Sequence, residues 1–128
     1  MPQPISFRLF KLFPLTLLCG VGIWIVCLVP VPETPLEHVR FIDKWVHIGM
    51  YFTFTALFWT ERHLHGVRLS EWGCMVWGFA APILMSGLLE LLQAYATTYR
   101  SGDWLDFAAN SAGVVLGAVY GWLLSRKR

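Results

Sequence analysis

Charge is what this chain has least of. Only 14% of its 128 residues are Asp, Glu, Lys or Arg, against roughly a quarter in soluble domains. That shortage excludes a disordered tail, a coiled coil and an ordinary soluble enzyme. The three cysteines are odd in number and form no CxxC pair, which argues against a disulfide framework or a zinc finger. Internal repeats and low-complexity segments are also missing. The net charge of +2 is mild, and no basic patch with interleaved aromatics occurs, so nucleic acid is not an expected partner. What the chain does have is apolar surface. Hydrophobic residues make up 56% and the mean hydropathy is +0.55, in a length that suits one domain and not two. The composition places the chain in a bilayer.

Four runs carry no charged residue: Leu12 to Val31, Trp45 to Thr60, Trp72 to Leu89 and Phe107 to Ser125. A helix needs about 20 residues to cross roughly 30 Å of hydrocarbon. The second run is short, so its helix is expected to begin near Val39 and carry Asp43 and Lys44 at the membrane surface. Five of the seven tryptophans (Trp45, Trp59, Trp72, Trp104 and Trp122) fall at or near the ends of these runs, where amphipathic rings prefer to lie. The sequence therefore predicts an all-α integral membrane protein, a four-transmembrane-helix bundle in one domain over 1–128, with helices at about 10–31, 40–61, 72–96 and 103–125. The segment from Glu61 to Glu71 reads as a polar loop.

The first helix is expected to be retained. No small-x-small cleavage site follows its apolar run; Gly20 and Gly22 lie in the middle, and neither Cys19 nor Cys27 follows a small residue. With both ends on one side, that side holds Arg8, Lys11, Arg62, Arg68, Arg126, Lys127 and Arg128, against Arg40, Lys44 and Arg100 on the other. The positive-inside rule then makes both termini cytoplasmic. Pro82 has no N–H for the Gly78 carbonyl and is expected to kink the third helix.

Ionisable residues inside spans are costly and call for a partner or a purpose. In the second helix Lys44, His47 and Tyr51 share one face, close to Asp43. In the third, Ser86, Glu90 and Gln93 form an i, i+4, i+7 stripe. In the fourth, Asp106 and Asn110 lead into the ridge Gly113, Gly117 and Gly121. Arg100 lies in the loop between the last two. Counted by helical rise, Glu90 and Gln93 lie roughly 9 and 5 Å below the outer end of their helix, and Asp106 and Asn110 about 5 and 10 Å below the same surface. His47 is about 6 Å beyond Asp43 on the same measure. Three helices thus bring acid, base, amide and cation to one layer under the outer face.

Plainer readings stand beside this one. Asp43 and Lys44 also suit a solvated boundary, His47 a packing histidine, and Asp106 and Asn110 hydrogen bonds between helices. The glycine ridge reads as packing, and Cys19, Cys27 and Cys74 as small core residues. Glu90, after eighteen uncharged residues, is the hardest to set aside. The pair His63 and His65 resembles a metal motif only weakly, and no metal or other cofactor is expected.

The pattern Asp43-Lys44-x-x-His47, Glu90-x-x-Gln93, Arg100, then Asp106-x-x-x-Asn110-x-x-Gly113-x-x-x-Gly117 resembles the VanZ-like family over about the last two thirds of the chain. The stretch Thr97-Thr98-Tyr99 departs from it, because a proline is expected before Arg100. The resemblance implies a multi-pass protein of the bacterial cytoplasmic membrane. The family's named member is associated with resistance to teicoplanin, a glycopeptide that acts on the cell wall; no established reaction comes with it.

Three functions follow as expectations. In the first, an outward-facing site binds or modifies an envelope lipid or lipid-linked wall precursor. His47, Glu90 and Asp106 would carry proton transfer, while Asp43, Lys44, Gln93, Arg100 and Asn110 hold the substrate, Lys44 and Arg100 against an anionic group. In the second, the same groups pair with one another and the protein is a non-catalytic scaffold or partner-binding module in the lipid. The third is a small multidrug exporter, for which the first helix lacks the expected acid. Whether the protein is an enzyme, and its oligomeric state, stay open at this level.

Overall fold

The computed structural model describes residues 5–28, 42–96 and 104–126. These residues are helical with short connections, and no strand occurs among them. In order they form α1 (Ile5–Leu12), α2 (Pro14–Leu28), α3 (Ile42–Leu64), α4 (Glu71–Met75), a π-helical turn (Val76–Ala80), α5 (Ala81–Ala96) and α6 (Trp104–Arg126).

The N-terminal apolar run is not one helix. It breaks at Phe13, because Pro14 lacks an N–H and its ring suits the first position of a new helix. The amides of Leu15 and Thr16 then have no carbonyl within α2 and are taken by the Glu61 carboxylate from α3, at 3.1 and 2.6 Å. The Thr16 hydroxyl donates to the same carboxylate at 2.7 Å. Glu61 is therefore the last-turn residue of a helix and buried, not the start of a polar loop. α3 ends three residues later in a Schellman turn: Gly66 adopts φ +62°, its N–H donates to His63 O (3.3 Å) and Val67 N–H to Arg62 O (3.0 Å).

α3 and α6 lie backbone to backbone. A Cβ at Gly113 would stand 2.4 Å from the Ile48 carbonyl oxygen, and one at Gly117 would stand 2.6 Å from Thr55 Cβ. The ridge read from the sequence is thus a packing surface, since small residues four apart permit this approach. α4, the π turn and α5 form one continuous rod. Its π turn ends just before Pro82, where the Ala81 N–H reaches back five residues to Val76 O. The expected proline kink is thus taken up as a change of helical register.

Ile23, Cys27, Tyr51, Leu89 and Val114 form the buried core where α2, α3, α5 and α6 meet. Several polar side chains are buried as well: Thr16, His47, Thr55, Glu61, Ser86, Gln93 and Asn110. The outside is the reverse. Leu84, Leu88, Leu91 and Tyr95 form an exposed apolar stripe on α5, and Val115, Leu116, Val119 and Trp122 another on α6. Polar groups inside and bare hydrocarbon outside suit an apolar medium rather than water. Two helices, Glu71–Tyr95 and Trp104–Arg126, are long and apolar enough to cross a membrane. α2 is apolar but 15 residues long over its described length, about 22 Å of rise.

Candidate functional site: a polar chain across three helices

The first turns of α3 and α6 begin side by side, which brings Lys44 and His47 against Asp106 and Asn110. Lys44 Nζ donates to Asp106 Oδ1 at 2.5 Å. The other carboxylate oxygen, Oδ2, lies 3.6 Å from His47 Nε2. On the far side of the imidazole ring, His47 Nδ1 lies 2.8 Å from Asn110 Oδ1. The Asn110 amide nitrogen donates to Ser86 Oγ on α5 at 3.0 Å. An amide oxygen only accepts, so the proton of the His47–Asn110 bond sits on Nδ1. The histidine is thereby held with Nε2 turned toward the carboxylate.

The chain Lys44–Asp106–His47–Asn110–Ser86 grades from open to closed. Lys44 and Asp106 retain 17% and 15% side-chain exposure, whereas Asn110 and Ser86 are fully buried. A ligand would reach it from the Lys44–Asp106 end. One turn beyond His47, Tyr51 is fully buried and within electrostatic reach of Ser86, Glu90 and Cys27. Its hydroxyl makes no hydrogen bond of normal geometry among the described residues.

The remaining candidates fall around this chain. Glu90 is half-buried on α5, one turn from Ser86 and on the Tyr51 side. Gln93 is buried and donates through Nε2 to the Cys27 carbonyl at 2.7 Å, tying α5 to the last described turn of α2. Asp43 lies in the first turn of α3, but its side chain is outside the described residues, as is all of Arg100. Among the described residues no three His, Cys, Asp or Glu side chains gather as a metal set. Cys19, Cys27 and Cys74 form no disulfide, and Cys27 is buried.

In the sequence Ser86 stands on the polar stripe with no role of its own, and Glu61 stands as the first residue of a polar loop. The signal for Glu61 was Pro14. A proline that opens a helix leaves the next two amides in need of an acceptor, and Glu61 stands at the matching end of the neighbouring apolar run.

An imidazole held by an amide on one side and facing a carboxylate on the other is an arrangement for moving a proton. A lysine beside it supplies a cation. Searches of family models, curated proteins and solved structures found no match to this chain.

Proposed function

We propose that this chain is a four-span, VanZ-like protein of the bacterial cytoplasmic membrane, with both termini inside. Its site under the outer face binds, or acts on, an anionic envelope lipid or lipid-linked wall precursor. The observation that carries this reading is the Lys44–Asp106–His47–Asn110–Ser86 chain, drawn from three helices whose exposed faces carry long apolar stripes. In such surroundings a cluster of this kind costs free energy and persists where it has a use. Lys44 would leave Asp106 for an incoming phosphate or carboxylate. Asp106, so released, would face His47 Nε2 and stabilise a proton there. Arg100, Asp43 and Gln93 belong to the proposed binding set, and Glu90 to the proton-transfer set. The seven-to-three distribution of Lys and Arg supports the orientation, and the apolar exterior supports the bilayer. Altered glycopeptide susceptibility is the expected phenotype.

The closed pairing of Lys44 with Asp106 favours a second reading, in which the chain of polar groups only locks three helices in register. Envelope lipid profiles and teicoplanin susceptibility of strains carrying His47→Ala or Glu90→Gln separate the two. A functional site predicts loss of the phenotype at unchanged membrane abundance. A structural lock predicts that abundance and detergent stability fall, with function falling only in proportion. Full activity from both variants removes the proton-transfer role.

A further inference from the structure

A second unfilled space lies away from the Lys44–Asp106 pair. It is a groove of about 570 Å³ between the α1–α2 junction, the second half of α3, the π turn and the start of α5. That volume lies within the range of small-molecule sites, about 300–1,000 Å³. Phe58 in its wall is eleven residues along α3 from His47, about 16 Å of rise, so the groove lies toward the end of the bundle away from Lys44 and Asp106, with Met85 in its wall next to Ser86. The walls are hydrocarbon and aromatic: Leu12, Leu17, Phe54, Trp77 and Met85 among them. Only three side chains carry polar atoms: Arg8, Thr16 and the indole N–H of Trp77. The Thr16 hydroxyl is already committed to Glu61. Arg8 is exposed on α1 and is the single charged residue of the lining.

We infer that this groove holds one acyl chain of an anionic phospholipid, with its phosphate on the Arg8 guanidinium. This rests on the membrane reading above, but on none of the residues of the polar chain. The occupant follows from what the walls offer. A peptide laid here would bury N–H and C=O groups against carbon, at a cost no wall residue offsets. A hydrocarbon chain needs no such partners. One cation at the rim, as part of α1, complements one anion at the end of that chain, and a guanidinium meets a phosphate with two parallel hydrogen bonds. Lys11, Arg62 and Arg68 lie at the same end of the molecule, so the local field also favours an anionic headgroup. Glu61 and Glu71 reduce that field without reversing it: two acids stand against Arg8, Lys11, Arg62 and Arg68, and the Glu61 oxygens are turned to the Leu15 and Thr16 amides at the N-terminus of α2.

Trp77 in the groove wall supplies the probe. The full chain is reconstituted in phosphatidylcholine bilayers with increasing fractions of brominated phosphatidylglycerol or brominated phosphatidylcholine. The emission of Trp77 is isolated as the difference between wild type and Trp77→Phe. Quenching of Trp77 is expected at about fivefold lower mole fraction of the glycerol lipid, the preference that one basic side chain near a surface confers. Arg8→Gln, at an exposed position that leaves folding intact, should remove the preference. Ala81→Leu, which narrows the groove, should weaken quenching by both lipids. Equal quenching by the two lipids in wild type would overturn the anionic site. So would an unquenched Trp77 beside quenched tryptophans elsewhere, which would assign the groove to protein, from this chain or a second copy. If no tryptophan is quenched by either lipid, the membrane reading itself fails, and the groove proposal with it.

Discussion

The indole N–H of Trp59 donates to the carbonyl oxygen of Gly78 at 3.2 Å. In an α-helix that oxygen would accept from residue 82, which is Pro82 and has no N–H. The partner lost to proline is thus replaced from a neighbouring helix. The same indole fills the space left by two glycines: a Cβ at Gly78 or at Gly121 would stand 2.3 Å from the ring. Trp59 therefore links α3 to both the π turn and α6. Trp59→Phe is expected to destabilise the protein by about 1–3 kcal/mol through the unpaired carbonyl, with an added loss from packing. In a Pro82→Ala background residue 82 regains its N–H, and the same substitution should cost less. A double-mutant cycle read by denaturation in detergent measures the coupling; additive effects would show that the Trp59 bond does not replace the proline's missing donor.

The glycines differ in what a methyl would meet. At Gly113 it meets backbone, Ile48 O at 2.4 Å and Phe52 N at 2.9 Å, and backbone cannot step aside. Gly113→Ala should separate α3 from α6 and pull Lys44 and His47 away from Asp106 and Asn110. At Gly22 and Gly49 nothing lies within 4 Å. Alanine there should be neutral or stabilising by up to about 1 kcal/mol, since glycine is the poorer helix former. Folded yield and thermal stability of the three variants test this; a stable Gly113→Ala would mean that the two backbones are not in contact.

The helices lie on the uncharged runs because charges, proline and glycine punctuate those runs, and that much is local. The pairs Lys44 with His47 and Asp106 with Asn110 were legible for the same reason: spacings of three and four place them on one helical face. Partnerships between helices were not legible. Nothing in Gln93 or its neighbours points to the Cys27 carbonyl 66 residues away, and nothing near Glu61 points to Thr16. Glu61 looked like the first residue of a loop because an acid followed by Arg62 and His63 ordinarily meets water. Its burial depends on a helix start elsewhere in the chain, which only the proline hinted at.

Glu61 gives a graded test. Its carboxylate meets two amides and one hydroxyl at the start of α2, where the helix dipole also favours negative charge. Glu61→Gln keeps one acceptor oxygen and should cost about 1–2 kcal/mol. Glu61→Ala leaves the buried amides without partners and should cost about 2 kcal/mol or more for that alone. Hydrogen exchange at Leu15 and Thr16 is the direct readout. Protection should fall modestly in the glutamine variant and collapse in the alanine variant, while the α6 amides near Asn110 stay protected. Unchanged protection at Leu15 and Thr16 in Glu61→Ala would remove the capping role.

The last expectation concerns a single proton. Asn110 gives its nitrogen to Ser86 and its oxygen to His47, so the neutral imidazole should carry its hydrogen on Nδ1, the minority form in free histidine. Nitrogen NMR of the His47 ring distinguishes the two tautomers directly. Asn110→Leu removes the acceptor, and the ring should revert toward the Nε2–H form, whose proton faces the Asp106 carboxylate. Ser86→Ala is the gentler control. It removes the partner that fixes which end of the Asn110 amide faces His47, so a mixture of tautomers should appear with the helices still packed. An Nε2-protonated ring in wild type would mean that the amide is turned the other way. Ser86 would then donate to the Asn110 oxygen, and Nδ1 would accept from its nitrogen. The proton would lie on the Asp106 side, and His47 would serve as a hydrogen-bond donor to the carboxylate rather than as a base facing it.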